Sequence, residues 1–538
     1  MFQKVCVRLL VTLTWLQAVA ARPNFLFIIT DDQDAHMDLW TGQMAHNTNV
    51  TNVQPPWGGY PKFIDNGYNN HHLGLWLQQA GYSTFYAGKL FNGHTINNYN
   101  KPLMSGYTGS NFFLEPYAYE YFNVTTTRNG RAPVSHQGKY STDLLADTAQ
   151  EFLDTALQQP EKPFFIALAP VAPHSWLQEV PTTRGGPPQV AERHRNLLQD
   201  YQIPRTRNFN PDQPSSVNWI SRLPKLNSTV IEYNDEFQRL RLRSLLAVDE
   251  MVGRTIRRLE EEGVLDNTYI FYTSDNGFHI SQHRLHPGKM CGLETDIRVH
   301  LLVRGPGVPQ NAIRSAPSTH TDIAPTILKL AGVNITDKKF DGTPIELGIP
   351  KEPRSARLEH TAVEFWGVGL LESPYASPSN NGNNTYKGVR IEAEEYAFYY
   401  SVWCNGAKEI YDMKGDQGQL TNLLSPTHAD KANAFRLYDQ PLQAITDRLD
   451  ALMMVLKTCK EKTCIDPWGA LHPEGNVASL KDALNTTYDA FYRGQTKVQF
   501  RRCAGGYLLD AEGPLEFEAY NSLEFMQAPY DPDWSIRI

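Results

Sequence analysis

The sequence predicts an α/β protein whose core is a mostly parallel β-sheet flanked by helices. Three runs of β-forming, mostly apolar residues cover 24–29, 164–168 and 268–272, and unbroken runs of this kind are typical of strands that are buried on both faces. Helical stretches lie between these runs, and alternation of strand and helix favours a parallel sheet. The predicted helices are 73–80, 142–157 and 239–262.

Length and charge narrow the class of protein. A chain of 538 residues is too long for one ordinary domain and predicts two or three. The net charge of -8, from 50 basic and 58 acidic side chains, does not favour nucleic acid or an anionic membrane as a partner. Beyond about residue 345 the chain becomes rich in Pro, Gly and Asn, with a strand-like run over 396–403. We therefore expect a main domain over 22–345 and a smaller C-terminal α+β domain over 346–538.

The first 21 residues have the organisation of a cleavable secretory signal peptide. Lys4 and Arg8 precede an apolar run over 9–16, and small residues follow at 18–21, so the mature chain is expected to begin near Arg22. The apolar run is too short to span a membrane. Six Asn-x-Ser/Thr sequons agree with export and N-glycosylation: Asn49, Asn123, Asn227, Asn334, Asn383 and Asn485.

An odd number of cysteines remains after the leader. They are Cys291, Cys404, Cys459, Cys464 and Cys503. In the secretory pathway disulfides can form, and the short spacing of Cys459 and Cys464 favours a local bridge. A Cys404–Cys503 bridge is one of several remaining possibilities, since spacing does not determine connectivity. One cysteine must stay unpaired or pair with another chain.

Oxygen-bearing side chains follow two of the predicted strands. Asp31 and Asp32 come directly after the first strand, and Asp275 and Asn276 follow the third. Ligands in open α/β sheets bind beyond the carboxyl ends of the strands, so these two pairs are expected to meet. Carboxylate and amide oxygens are the ligands that calcium and magnesium take. The pattern predicts a divalent-cation site, although a single Asp after a strand is more often a turn or cap residue.

Three groups that can carry positive charge lie in loops near the same strand ends. Lys89 follows Gly88, His174 follows Ala-Pro, and Lys289 follows Pro-Gly. Each of them alone is more commonly a solvated surface residue. Together with the predicted metal, they could hold an anionic tetrahedral group such as sulfate or phosphate.

A larger set of motifs, in a specific order and spacing, resembles the sulfatase family of the alkaline-phosphatase-like superfamily. The similarity spans residues 22 to about 425 and is greatest to fungal-type arylsulfatases. The motifs that carry it are Arg22-Pro23-Asn24, Asp31-Asp32, Ala45-His46-Asn47-Thr48, Gly88-Lys89, Ala172-Pro173-His174, Ser274-Asp275-Asn276-Gly277, Pro287-Gly288-Lys289, Asp296-Ile297-Arg298, Gly305-Pro306-Gly307, Thr321-Asp322-Ile323-Ala324-Pro325-Thr326 and Glu409-Ile410-Tyr411-Asp412-Met413.

The resemblance implies an alkaline-phosphatase-like fold and the hydrolysis of sulfate esters, either small molecules or sulfated glycans. It implies a calcium ion held by three carboxylates and one amide oxygen. It also implies side chains that bind or polarise the sulfate ester, and a side chain that donates a proton to the leaving oxygen. His279 or His283 could be that donor, and a purely structural histidine is an equal alternative. The implied calcium ligands are Asp31, Asp32, Asp275 and Asn276, and the implied sulfate-contacting residues are Lys89, His174 and Lys289.

The chain departs from the family at the nucleophile. Relatives form a formylglycine from the Cys or Ser of a Cys-x-Pro-Ser-Arg-x-x-Leu-x-Thr-Gly signature, whereas here only Leu39-Trp40-Thr41-Gly42 matches, and Asp32 stands at the nucleophile position. We interpret this as an internal deletion near residues 40 and 41 of the catalytic domain, and expect the chain to be inactive as it stands. Two other functions remain open: a secreted glycoprotein that binds sulfated ligands without turnover, and a phosphodiesterase or phosphatase of the same superfamily.

Overall fold

The structure is a computed structural model that describes residues 22–32, 58–178, 184–314, 316–348, 359–376 and 382–521. Within these segments a large, mostly parallel sheet has helices on both faces, and a smaller antiparallel sheet follows it along the chain. The predicted α/β class is therefore confirmed. The predicted signal peptide over 1–21, the sequon at Asn49 and the deletion near residues 40 and 41 lie outside the described residues.

Strands occur throughout the described segments. They are β1 Asn24–Thr30, β2 Ser83–Lys89, β3 Gly109–Phe113, β4 Thr125–Arg128, β5 Val134–Ser135, β6 Phe164–Ala169, β7 Trp176–Gln178, β8 Arg184–Gly186, β9 Thr268–Ser274, β10 Gly288–Lys289, β11 Leu301–Arg304, β12 His360–Phe365, β13 Leu370–Leu371, β14 Tyr386–Glu392, β15 Ala397–Trp403, β16 Lys408–Asp412, β17 Arg436–Leu437 and β18 Gln440–Pro441.

The α-helices of the same segments lie between and after these strands. They are α1 Gly59–Asp65, α2 Leu73–Gln79, α3 Ser141–Leu157, α4 Ser228–Glu261, α5 Glu294–Ile297, α6 Ile323–Leu330, α7 Ala429–Ala434, α8 Leu442–Leu456, α9 Lys462–Ile465, α10 Pro467–Leu471, α11 Leu480–Ala483 and α12 Asp489–Gly494. None of these described helices is long and apolar enough to cross a membrane.

The large sheet has β1 near its centre. Its strands lie in the order β11-β9-β1-β6-β2-β3-β4-β5 over the described chain, and β1 runs parallel to both β6 and β9. Phe25 and Phe27 pack on one face with α1, α2 and α6, while Leu26 and Ile28 pack on the other with α3 and α4. Burial on both faces explains why the sequence of β1 is apolar without alternation. The three predicted buried strands correspond to β1, β6 and β9.

The long helix α4 differs from its prediction. It begins at Ser228 and not at Arg239, because the side chain of Asn227 accepts a hydrogen bond from the backbone N–H of Val230 at 3.0 Å and caps the helix. The polar first turns conceal the helical pattern in the sequence. The predicted helices 73–80 and 142–157 correspond to α2 and α3 within one residue at each end.

The smaller sheet has the antiparallel order β12-β14-β15-β16. Its apolar face packs against α8, with Val389 and Phe398 from the sheet and Ile445 and Leu449 from the helix in one core. Two disulfides, Cys404–Cys503 and Cys459–Cys464, agree with the expected pairings. Cys291 is free and buried. The division into domains at residues 345 and 346 remains a prediction.

Candidate active site at the carboxyl ends of the sheet

The carboxyl ends of β1, β2, β6 and β9 bring the predicted site residues to one edge of the large sheet. Thr30, at the end of β1, lies opposite Ser274, at the end of β9, so the pairs that follow them are neighbours. Asp31 forms a parallel bridge with Pro173, the residue before His174, and Lys89 is the last residue of β2. Parallel pairing therefore gathers side chains that are far apart in sequence.

Lys89 and Asp31 form a buried ion pair. The Lys89 Nζ lies 3.0 Å from Asp31 Oδ2, and it also lies 4.7 Å from the centre of the Tyr119 ring. Burial alone would lower the pKa of Lys89, but Asp31 and Tyr119 outweigh burial and hold the pKa well above its usual value. Lys89 is therefore a permanent positive charge inside the site.

Asp32 is fully buried between two cationic side chains. Lys289 donates a hydrogen bond to its Oδ1, and Arg241 Nη1 lies 3.0 Å from its Oδ2. Burial raises the pKa of the Asp32 carboxyl, but Lys289, His174 and Arg241 outweigh this and lower the pKa to about 2. Asp32 is thus an anion at any pH at which the protein would work.

Arg241 was not predicted from the sequence. It projects from α4, its guanidinium lies 3.9 Å from the centre of the Phe278 ring, and only 11% of its side chain is exposed. A signal did exist, because Arg241 falls on the same helix face as the buried residues Phe237 and Ser244. A basic residue on the buried face of an amphipathic helix usually has an acidic partner.

His174 and Glu372 complete the cluster around Asp32. His174 Nδ1 lies 2.7 Å from the backbone oxygen of Ser175, and its ring packs against Tyr119 at 4.5 Å between centres. Single ligand atoms of Asp32, His174 and Glu372 lie within 4.8 Å of one another. Glu372 was not predicted, and it introduces a carboxylate from the C-terminal part of the chain.

The oxygen donors fit a hard divalent cation. Asp31, Asp32 and Asp275 supply carboxylates, and the amide oxygen of Asn276 is buried without a hydrogen-bond partner in the described chain. Calcium and magnesium take such ligands. Two groups of three His, Cys or acidic side chains in the described residues have ligand atoms within 4.8 Å of one another, and neither is the predicted calcium set. One group is Asp32, His174 and Glu372, and the other is His279, Cys291 and Asp296.

His279 is held by a neighbouring carboxylate. It is fully buried, and its Nδ1 lies 2.9 Å from both oxygens of Asp296. Its Nε2 points toward Gly288, which precedes Lys289, and has no hydrogen-bond partner in the described segments. His283 bonds to the Ser215 hydroxyl at 2.6 Å, and burial lowers its pKa to about 3, as expected for a structural histidine.

A cavity of about 320 Å³ lies against this cluster. Asp32, Asn276 and Arg241 form part of its wall, and Phe278 and Ile203 contribute apolar surface. The site therefore combines buried carboxylates, permanent cations and an adjacent space of the size of a small-molecule pocket.

Known proteins match the chain over most of its length. The sequence profile of the Sulfatase family matches residues 34–333. An arylsulfatase of Volvox carteri is 35% identical over 554 aligned positions, which cover 91% of this chain and 83% of that protein. An arylsulfatase of Chlamydomonas reinhardtii is 34% identical over 90% of this chain and 82% of that protein. A solved structure described with its substrate D-glucosamine-2-N,6-O-disulfate shares the fold, with a TM-score of 0.57 and 20% identity, covering 76% of this chain and 95% of that one.

Proposed function

The chain belongs to the sulfatase family, and from this premise we propose that its site binds the sulfate group of a sulfate ester beside a calcium ion. The observation that carries the proposal is the convergence of two buried lysines, Lys89 and Lys289, on Asp31 and Asp32. When a divalent cation binds to these carboxylates, the two ammonium groups are free to turn to an anionic ligand. Family membership and the arylsulfatase relatives support a sulfuric ester hydrolase.

The charges of the site favour a sulfate ester over a phosphate monoester. Leaving the imidazole of His174 out of the count, four carboxylates face three permanently cationic side chains, so a bound divalent cation leaves one positive charge. A sulfate monoester carries one negative charge, whereas a phosphate monoester carries nearly two at neutral pH. The carboxylates are Asp31, Asp32, Asp275 and Glu372, and the cations are Lys89, Lys289 and Arg241.

In this proposal calcium is held by Asp31, Asp32, Asp275 and Asn276. A bound cation would polarise the ester and stabilise negative charge on the sulfate oxygens. Lys89, His174 and Lys289 would contact the sulfate group, and His279, whose Nε2 lies near Gly288, would donate a proton to the leaving oxygen. The oxygen ligands suit calcium or magnesium, so titration of the protein with each ion is the direct comparison.

This chain lacks the cysteine from which the family forms its nucleophile. None of its cysteines is followed by the x-Pro-x-Arg of the family signature. The alignment to the Volvox relative runs over 554 positions, more than the 538 residues of this chain, so that relative has residues with no counterpart here. Loss of the nucleophile of a hydrolase lowers turnover by about 10⁶-fold. We therefore propose that this chain binds sulfate esters with little or no hydrolysis.

The experiment compares binding with turnover. Phenyl sulfate and phenyl phosphate are titrated calorimetrically into the protein with calcium and with a chelator, and release of 4-nitrophenol from 4-nitrophenyl sulfate is followed in parallel. Calcium-dependent binding of phenyl sulfate without measurable release is the expected result. Tighter binding of the phosphate ester would favour the phosphatase alternative. If neither ester binds, the proposal is wrong.

Entry into the secretory pathway is a further part of this proposal. The signal-peptide pattern supports it, and four of the sequons, Asn227, Asn334, Asn383 and Asn485, lie on exposed residues where a glycan could be attached. Secretion from a eukaryotic host, followed by a shift in mass on enzymatic deglycosylation, is the expected result. Retention of the chain inside the cell without glycans would contradict it.

A further inference from the structure

Glu372 reaches the site through backbone pairing between distant segments. β13 pairs with β10, placing Leu370 opposite Lys289, and the Glu372 N–H donates a hydrogen bond to the Pro287 oxygen at 2.6 Å. The carboxylate is therefore carried by the same antiparallel pair that presents Lys289. The backbone pairing and this hydrogen bond therefore fix the position of Glu372 relative to Lys289.

The two oxygens of Glu372 differ in their partners. The hydroxyl of Ser175 donates a hydrogen bond to Oε2, while Oε1 lies 3.9 Å from Lys289 Nζ and has no hydrogen-bond partner in the described chain. Only 10% of the side chain is exposed. A buried carboxylate oxygen without a donor is unfavourable, so this atom is available to a donor on a ligand.

Aromatic side chains lie beside Glu372. Tyr233 on α4 and Tyr375 lie with their ring centres 5.4 Å apart and their planes nearly perpendicular. Burial, and then the charges of Glu372 and Tyr375, raise the pKa of Tyr233, which agrees with the closeness of the three groups. Tyr375 is 50% exposed, so this wall can be reached from solvent.

We propose that Glu372 Oε1 accepts a hydrogen bond from a hydroxyl or amine on the leaving group of the sulfate ester, with Tyr233 and Tyr375 flanking that group. The inference rests on the proposed sulfate site, because Lys289 and His174 place the sulfate within a few ångströms of Glu372. Without a donor on the leaving group, a carboxylate so close to a sulfate would only repel it. The site therefore selects sulfated sugars over aryl sulfates that carry no donor.

The test measures the affinities of two ligands for the wild-type chain and for two variants of it, all in saturating calcium. N-acetylglucosamine 6-sulfate offers hydroxyl donors, and phenyl sulfate offers none. Titration calorimetry is performed on the wild type, on Glu372→Gln, and on Glu394→Gln, which removes an exposed carboxylate between β14 and β15. We expect Glu372→Gln to weaken the sugar sulfate about tenfold or more while phenyl sulfate binds at least as well as before, and Glu394→Gln to change neither affinity.

The outcomes separate this inference from the function on which it rests. If the wild type binds phenyl sulfate but Glu372→Gln leaves the affinity for the sugar sulfate unchanged, or weakens both ligands equally, the inference is wrong and the sulfate site stands. If Glu372→Gln abolishes calcium binding, Glu372 is a metal ligand and the inference is overturned. If neither ligand binds the wild type, both the function and the inference fail. Glu372→Asp, which keeps the charge but shortens the side chain, should retain part of the sugar affinity if Gln disturbs folding.

Discussion

Replacement of Lys89 by methionine separates the two roles that the site gives to this lysine. Its Nζ is 3.0 Å from Asp31 Oδ2 and 4.7 Å from the Tyr119 ring centre, and the side chain is 12% exposed. Methionine keeps most of the apolar stem but removes the charge. Asp31 then loses a cation that competes with a metal, and a sulfate ester loses a cation that would bind it.

The expected changes have opposite signs for the two ligands. At about 4 Å and an effective dielectric near 20, two unit charges repel by about 4 kcal/mol, so loss of the ammonium should raise calcium affinity by at least tenfold. A charge-assisted hydrogen bond contributes about 1.5–3 kcal/mol, so phenyl sulfate affinity should fall by about 10–100-fold. In the chelated protein, an uncompensated buried Asp31 should lower the free energy of unfolding by about 3–5 kcal/mol.

Calorimetry with calcium and then with phenyl sulfate gives both affinities, and urea unfolding in chelator gives the stability. Lys329→Met removes an exposed lysine from the end of α6 and is the matched control. If Lys89→Met weakens calcium together with the ester, competition between lysine and metal is wrong and the lysine has a structural role. If ester affinity is unchanged, Lys89 does not contact the sulfate.

Three further perturbations address other parts of the molecule. Glu512→Gln should lower the free energy of unfolding by about 3–5 kcal/mol in urea denaturation, because Glu512 forms fully buried ion pairs with Lys387 at 2.9 Å and Lys457 at 3.0 Å; a loss below 1 kcal/mol would contradict this. Burial raises the pKa of Glu359 to about 6 from 4.5, so its proton is held more tightly in the folded state. Its contribution is complete below pH 4.5 and is lost as pH rises through 6, a decrease of about 2 kcal/mol that Glu359→Gln should remove from the pH profile. Replacing both cysteines of the Cys404–Cys503 bridge, which are 99 residues apart, should cost about 4–5 kcal/mol, and an unchanged thermal midpoint would refute that estimate.

The central strands could be predicted because burial of a strand on both faces leaves a recognisable apolar run in its own sequence. A strand buried on both faces carries a nearly continuous run of apolar and aromatic residues, and such a run covers 25–29 in β1, 164–169 in β6 and 269–272 in β9. Polar residues follow these strands directly, and ligands of open α/β sheets bind beyond the carboxyl ends of the strands, so Asp31 and Asp32 could be predicted as site residues. The local sequence pattern is therefore enough to predict these strands and the polar residues that follow them.

The remaining site residues depend on contacts between distant parts of the chain. Glu372 faces the cluster because β13 pairs with β10, and nothing in its own segment signals that pairing. Arg241 carried a weak signal in its position on the buried face of α4. For His279, the sequence could suggest a catalytic or a structural role but could not show that Asp296 holds its Nδ1. Tertiary pairing, not composition, decides these positions.

Among the residues that the structure describes, Cys291 is the cysteine outside a disulfide, and its surroundings argue against a role as a substitute nucleophile. It is fully buried, it has no disulfide, and its backbone N–H donates to Asp296 at 2.7 Å. Burial raises the pKa of its thiol well above the usual value, and the nearby carboxylates Asp296 and Glu409 raise it further. The thiolate is the reactive form of cysteine, so burial and the raised pKa both disfavour reaction of this thiol. Under the proposed function, the described site would keep the charges that attract a sulfate ester but would gain from Cys291 no nucleophile for the ester sulfur, so ligand binding has to be measured alongside turnover.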